Sequence, residues 1–409
     1  MLPTQNSEEP MLHRHIWQRL PQPWRRRALF YATSRIAPRP TPAAQGALPI
    51  IVAGALRTAS GLGQSARLCH DALKSVGLQV FGVDLTRALM QSNDYSDFQF
   101  DDGSAIEGPG TLVLFINAPF VPLAMWRLRR RLVRDKRVVG YWAWELPEVP
   151  NEWRHGVPLV HEVWTPTRFV ADAVRPIVGA KPVHIIPYPV AIEATRPRLA
   201  ARAADRPFTV LTIFNMASSF ARKNPCASIE AFRMAFGGDP TARLVIKTSN
   251  LSVYPEGIRL MERARATADN IDIIAQTMSA AGIDALYDQV DVVMSLHRSE
   301  GFGLTIAEAM LRGVPVVATN WSGNVDFLNY KTGIPIPFHL ISALDPQGTY
   351  NHPDVNWADA DIEAAAAALR RLRDDPGLRL RLGQQAAHFG EYTWSAERYV
   401  STVRQHLGL

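Results

Sequence analysis

Cysteine is nearly absent: Cys69 and Cys226 are the only two in 409 residues. They lie far apart and in no C-x-x-C or Cys/His cluster, which excludes a disulfide framework and a zinc site of ordinary spacing. Both are read as buried thiols. No stretch approaches the roughly eighteen uninterrupted apolar residues of a membrane-spanning helix, and the N-terminus lacks the apolar core and cleavage site of a signal peptide. A cytoplasmic protein is expected. No D-x-D occurs in a metal-binding context, so no metal is expected. No internal repeat is visible. The basic stretches lack the recurrent aromatics of a single-strand groove, which argues against a nucleic-acid partner.

What is present fits two domains. The length suffices for two cores, and 47% hydrophobic content suits buried parallel sheets. The net charge of +6 is concentrated in two places. Residues 1–46 form a proline- and arginine-rich arm in which Trp17 and Trp24 are interleaved with arginines, a composition suited to a lipid headgroup region or to packing on the domain. Arg127 to Arg137 holds Arg127, Arg129, Arg130, Arg131, Arg134, Lys136 and Arg137 against Asp135 alone. If helical, it is basic around much of its circumference. An anionic membrane surface is the expected partner of both patches.

Short apolar runs alternate with helical stretches: Leu48–Leu56, Gln79–Asp84, Thr111–Ile116 and Arg137–Tyr141, then Phe208–Phe214, Arg243–Thr248, Ile271–Ile274 and Val314–Thr319. This alternation predicts a doubly wound parallel sheet in each half, with ligands outside the carboxyl ends of the strands. The expected divisions are the arm at 1–46, a first domain at 47–190, an Ala/Arg/Pro-rich linker at 191–206, a second domain at 207–385 and a terminal helix at 386–409. Thr165 or Thr167 is a candidate cap for the helix that follows Val163-Trp164.

The stretch Ser299 to Gly313 reads S-E-G-F-G-L-T-I-A-E-A-M-L-R-G. It follows the apolar run Asp291–Leu296, and its apolar positions take helical spacing from Leu304. The order is therefore strand, glycine loop, helix. Gly301 and Gly303 let the backbone approach a ligand, and the first-turn amides form an anion site for a phosphate. Glu300 and Glu308 flank it. Carboxylates beside a phosphate cradle are suited to sugar hydroxyls, which favours a nucleotide carrying a sugar.

The E-x7-E pattern of Glu300 and Glu308, inside E-G-F-G-L-x-x-x-E-A-M and followed by G-V-P-V-V-A-T, resembles the signature of retaining GT-B glycosyltransferases of the glycogen-synthase and sucrose-synthase-like superfamily. The resemblance implies two Rossmann-like domains facing a cleft and a nucleoside-diphosphate sugar donor, with UDP or GDP as the leaving group and no cofactor. It implies that Glu308 binds the ribose, that Glu300 binds the donor sugar, and that Gly301, Phe302, Gly303, Leu304 and Thr305 form the donor loop. Lys223 matches the diphosphate-binding lysine. The matching arginine position falls near Ser218, and Arg222 is the candidate replacement. S-G-L-G-Q-S, with Gly61 and Gly63, resembles the glycine loop that faces the cleft from the first domain. The histidine that many relatives carry after a strand like Arg137–Tyr141 is missing, and Glu145 in Trp142-Ala-Trp-Glu145 is the candidate substitute. A glycan acceptor, lipid-linked and destined for a cell-surface polysaccharide, is the expected partner.

Two rival readings remain. Gly61, Gly63 and Ala66 satisfy G-x-G-x-x-A, with Asp84 placed like a ribose-binding acid, which would make the chain a nicotinamide-dependent oxidoreductase. The missing arginine and histidine would also suit a non-catalytic nucleotide-sugar-binding protein. In addition, the amides around Gly323, in W-S-G-N-V-D, are expected to reach phosphate.

Overall fold

The computed structural model describes residues 22–42, 46–94, 97–191, 206–276 and 278–409. Trp17 and most of the expected linker, 192–205, lie outside the described residues. The first half runs α1 (Gln22–Ile36), β1 (Ile50–Gly54), α2 (Gly61–Ser75), β2 (Val80–Asp84), β3 (Gly110–Phe115), α3 (Val121–Val133), β4 (Lys136–Tyr141), β5 (Glu162–Thr165), α4 (Arg168–Val178) and β6 (Val183–Ile185). The second runs β7 (Phe208–Ile213), α5 (Phe220–Lys223), α6 (Pro225–Phe236), β8 (Ala242–Thr248), α7 (Glu256–Arg265), β9 (Ile271–Ala275), α8 (Ala280–Asp288), β10 (Val292–Ser295), α9 (Leu304–Leu311), β11 (Val316–Thr319) and β12 (Ile334–Ile336). A hairpin, β13 (Phe338–Ala343) and β14 (His352–Ala360), follows. Then come α10 (Ile362–Asp374), α11 (Pro376–Thr393) and α12 (Ala396–Leu407). The expected division at 385/386 falls inside α11.

The two six-stranded sheets have the orders β2-β1-β3-β4-β5-β6 and β12-β11-β10-β7-β8-β9. Every pairing in them is parallel. β1 and β3 are buried along their whole length, because helices cover both faces of the sheet, and this is why the strands read as continuous apolar runs. The hydroxyl of Thr167 accepts from the Val170 amide and caps α4.

One hydrophobic cluster joins the halves: Val52, Phe115 and Tyr141 from the first, Leu211, Val293, Ile306 and Met310 from the second, and Trp394, Tyr399 and Val403 near the C-terminus. α12 packs its buried residues, with Leu407, among Cys69 and Leu73 of α2. The carbonyl of His406 accepts from Arg137, and a Cβ at Gly46 would meet the carbonyl oxygen of Leu407 at 2.5 Å.

Three expectations need correction. The basic run is not one helix: α3 ends at Val133, Arg129 breaks it with φ +64°, and Lys136 opens a strand. Lys136 is 0% exposed and donates to the carbonyls of Ile106 and Gly108, while Arg137 pairs with buried Glu162 at 2.8 Å. Only Arg127, Arg129, Arg130, Arg131 and Arg134 of the run are exposed. Cys69 is buried as expected, but Cys226 is only half-buried. The antiparallel hairpin β13–β14 has no counterpart in the expected strands. Among the described residues, no helix is long and apolar enough to cross a membrane.

Candidate functional site

The loop between β10 and α9 is fixed by close backbone packing. Gly303 caps α9 at φ +95°, a left-handed conformation that glycine adopts without penalty. A Cβ on Gly301 would meet the Trp144 carbonyl oxygen at 3.1 Å, and one on Gly323 would lie 2.3 Å from the Gly301 oxygen. Thr167 of the first half donates to the Gly301 carbonyl at 2.8 Å. The Gly323 amide donates to the Glu300 carbonyl at 2.9 Å, so it braces the loop and is not left for a phosphate. Asp326 is likewise engaged, accepting the Arg168 amide at the start of α4. The amides of the first turn of α9, from Leu304 and Thr305, have no partner within the helix and point out of its N-terminus. The Phe302 ring is buried among Tyr188, Phe327 and Trp394, so Phe302 can serve the loop only through its backbone.

Glu300 is 7% exposed and faces two cations. Its Oε1 accepts from Lys223 Nζ, and its Oε2 lies 3.3 Å from Arg222. Burial alone would raise the Glu300 pKa. Lys223, then Arg222 and His297, outweigh that and hold it near 2. Burial pushes the Lys223 ammonium down, and Arg222 adds to this while Glu300 opposes it. Arg222 also donates to the carbonyls of Ser218 and Ser299, at 2.8 and 2.7 Å, so its guanidinium ties two loops together. Lys223 is the less committed of the two cations.

Glu308, half-buried on α9, accepts from Gln64 Nε2 at 2.7 Å across the cleft. Burial raises its pKa, opposed by Arg312 and Gln64. Gln64 lies in the first turn of α2, so the glycine loop and the E-x7-E segment meet through this hydrogen bond. A Cβ at Gly63 would meet the Thr58 and Ala55 carbonyls at 2.6 and 2.8 Å, whereas one at Gly61 meets nothing within 4 Å. Gly63 thus serves close packing.

The oxidoreductase pattern does not take its expected form. Residues 55–60 intervene between β1 and α2, where a dinucleotide site needs a tight turn. One oxygen of Asp84 is already engaged by the Leu56 amide, the Thr86 amide and the Thr86 hydroxyl.

Two residues at the site were not singled out from the sequence. His297, buried beside Glu300, brings Nε2 to 3.0 Å from Asn324 Oδ1, and burial pushes its pKa down while Glu300 opposes this. Its place at the end of β10, three residues before Glu300, was the available signal. Tyr350, from the hairpin loop, lies over Arg222 at 5.0 Å and donates to Glu145 at 2.8 Å. Nothing local marks it. Among the described residues, no cluster of three or more His, Cys, Asp or Glu side chains could hold a metal ion.

The sequence profile described as "Family 4 Glycosyltransferase in conflict systems" matches residues 167–397. A D-inositol 3-phosphate glycosyltransferase of Pseudarthrobacter chlorophenolicus is 32% identical over 152 residues, 35% of this chain and 31% of that protein. A GDP-mannose:cellobiosyl-diphosphopolyprenol alpha-mannosyltransferase of Xanthomonas oryzae pv. oryzae is 24% identical over 215 residues, 52% of this chain and 51% of the relative. The chain thus spans about a third to a half of the length of these relatives. Sucrose-phosphate synthase from Thermosynechococcus elongatus superposes with a TM-score of 0.62 at 15% identity, over 88% of this chain and 98% of that one. HepE of Anabaena, in complex with UDP and glucose, gives 0.60 at 12% identity, over 88% and 100%. At these identities the likeness speaks for the fold alone, the two-domain α/β architecture called GT-B. With the profile matched over more than half of its length, the chain belongs to the family 4 glycosyltransferases.

Proposed function

We propose that the chain transfers a sugar, with retention, from a nucleoside-diphosphate donor to a glycan acceptor. The observation that carries this reading is the convergence of Glu300, Lys223 and the N-terminus of α9 at the carboxyl ends of the second sheet, with Glu308 one turn further on. The diphosphate takes the Lys223 ammonium and the amides of Leu304 and Thr305, while Arg222 holds the Ser218 and Ser299 carbonyls in place. Glu308 exchanges Gln64 for the ribose hydroxyls, and Glu300 takes the hydroxyls of the donor sugar. Cationic side chains and a helix terminus neutralise the leaving group, so no metal is called for. The related HepE structure holds UDP and glucose, and the Xanthomonas relative is named for GDP-mannose and a diphosphopolyprenol acceptor, which supports UDP or GDP and a lipid-linked saccharide here.

The acceptor reading draws on one surface. Arg127 lies over the ring of Trp126, which is 43% exposed, and Arg129 and Arg130 share a surface with Trp126 and with exposed Ile36 at the end of α1. Each arginine near an anionic leaflet contributes about 1 kcal/mol, enough together for reversible attachment. A donor screen that follows release of UDP or GDP tests the chemistry, with the anomeric configuration of the product read by NMR. No release from any donor, or an inverted product, overturns the reading. Co-sedimentation with anionic vesicles at low and high salt tests the attachment, and absence of binding at low salt overturns it.

A further inference from the structure

The hairpin β13–β14 belongs to the second half by sequence and packs against both halves, with β14 bonded to Arg298 of the second. Ala343, Tyr350 and Trp357 share one hydrophobic cluster with Leu112, Val138 and Trp144 around the first sheet. Its loop is bound to the segment that carries the two site cations. Asp345 accepts from the Ser219 hydroxyl at 2.9 Å and from the Tyr350 amide at 3.0 Å. Gln347 accepts from the Phe220 amide at 2.6 Å and donates to the Met216 carbonyl at 3.0 Å. Held in this way, the Tyr350 ring rests between Trp144, at 5.1 Å, and the Arg222 guanidinium.

Tyr350 therefore touches both halves of the site. Its hydroxyl reaches Oε2 of Glu145, which follows the carboxyl end of β4, and among the described residues Oε1 of Glu145 accepts no hydrogen bond. Burial, with the Glu145 charge, keeps the phenol protonated and hence a donor. The Trp144 carbonyl beside Glu145 packs on Gly301, so this carboxylate stands next to the loop bearing Glu300.

Resting on the glycosyltransferase reading above, we propose that Tyr350 is a positioning residue that turns the free oxygen of Glu145 toward the attacking hydroxyl of the acceptor. Glu145 accepts a hydrogen bond from that hydroxyl and aims its lone pair at the anomeric carbon. In the transfer the bond from the anomeric carbon to the acceptor oxygen forms and the bond to the diphosphate oxygen breaks. The hydroxyl proton passes to the Glu145 oxygen that it faces as the new bond forms, and the diphosphate departs as the anion, held by the Lys223 ammonium and the first-turn amides of α9. Water, which enters the same place when no acceptor is present, is oriented in the same way.

The test uses the full chain, with UDP-glucose and GDP-mannose as probes and water as the acceptor, following release of the nucleoside diphosphate. Tyr350→Phe keeps the ring over Arg222 and loses only the hydroxyl. It should lower kcat about tenfold or more, with the KM for the donor and the calorimetric Kd for UDP or GDP held within about twofold. Glu145→Gln should show the same pattern, and the double variant should be no slower than Glu145→Gln alone, because both changes break one device. Tyr350→Leu, which also removes the ring, should weaken nucleotide binding as well. A Tyr350→Phe variant at the wild-type rate, losses that multiply in the double variant, or a change in KM in place of kcat would overturn the proposal while leaving the glycosyltransferase reading intact. A wild-type chain that binds neither UDP nor GDP and releases neither from its donor overturns both.

Discussion

Replacing Glu300 with Gln keeps the shape of the side chain and an acceptor oxygen but removes the charge that faces Lys223 and Arg222. Removing one partner of a buried pair costs about 3–5 kcal/mol, since the remaining charge stays out of water. Arg222 retains the carbonyls of Ser218 and Ser299, so the lower end, about 3 kcal/mol, applies. At roughly 2–4 °C per kcal/mol for units of this size, calorimetry at pH 7 should show Tm falling by about 6–12 °C.

The pH dependence adds a second readout. Without Glu300, burial and Arg222 act on Lys223 against Glu145 alone, so its folded pKa falls further below the unfolded value. The unfolded chain then binds the extra proton, and the deficit of the variant should shrink as pH rises from 7 to 9. In the wild type, the depressed Glu300 pKa contributes stability that is present above the usual carboxylate value and is lost as pH falls toward 2. A diphosphate supplies the missing negative charge, so UDP or GDP should raise the Tm of the variant more than that of the wild type. A variant within about 1 kcal/mol of the wild type at pH 7, or a deficit that does not change with pH, would refute the reasoning.

Lys223→Ala should lower turnover about a hundredfold or more, as a group acting on the leaving diphosphate requires, and should also lower Tm, because buried Glu300 keeps only Arg222 as a facing cation; rates normalised to folded protein and calorimetry on one preparation check both. Arg222→Ala should do the reverse in emphasis, destabilising by about 2 kcal/mol or more because two carbonyls lose their donors, and an unaltered Tm would contradict this role. Glu308→Gln should weaken donor binding by about 1.5–3 kcal/mol in isothermal titration. Because burial raises the Glu308 pKa, its contribution to stability is full below the unfolded value and is lost as pH rises through the folded one. The non-ionising variant should therefore gain stability relative to the wild type between pH 4 and 7, and a loss over that range would count against the assignment.

The sheets were legible because burial on both faces leaves each strand a short apolar run, and Val292–Ser295 followed by glycines and a helical period marks a strand, glycine loop and helix without further information. Glu300, Glu308 and Lys223 could be singled out because their spacing is local. What they touch could not. Gln64 reaches Glu308 across 244 positions, a partnership that no window of sequence contains. Lys136 looked like part of a basic face because a run of like charges reads as solvated, whereas strand pairing turns this side chain onto two carbonyls. The hairpin was hidden for a different reason. His352–Ala360 carries Pro, Asp and Asn at exposed positions and buries only its last residues, so its pattern resembles a loop. Tyr350 inherits that obscurity.

The seam between α2 and α12 has a consequence for how the protein is made. Cys69 and Leu73 are covered by residues near position 400, so an apolar stripe of the first half has no cover until α12 is available. At about 5–20 residues per second, the ribosome needs roughly 10–45 s to travel from the end of the first sheet to α12. During that interval the nascent first half presents a sticky surface to the cell. Chaperone capture of ribosome-bound chains should accordingly persist until α12 has emerged, and removal of α12 should leave a product that synthesises normally and then aggregates.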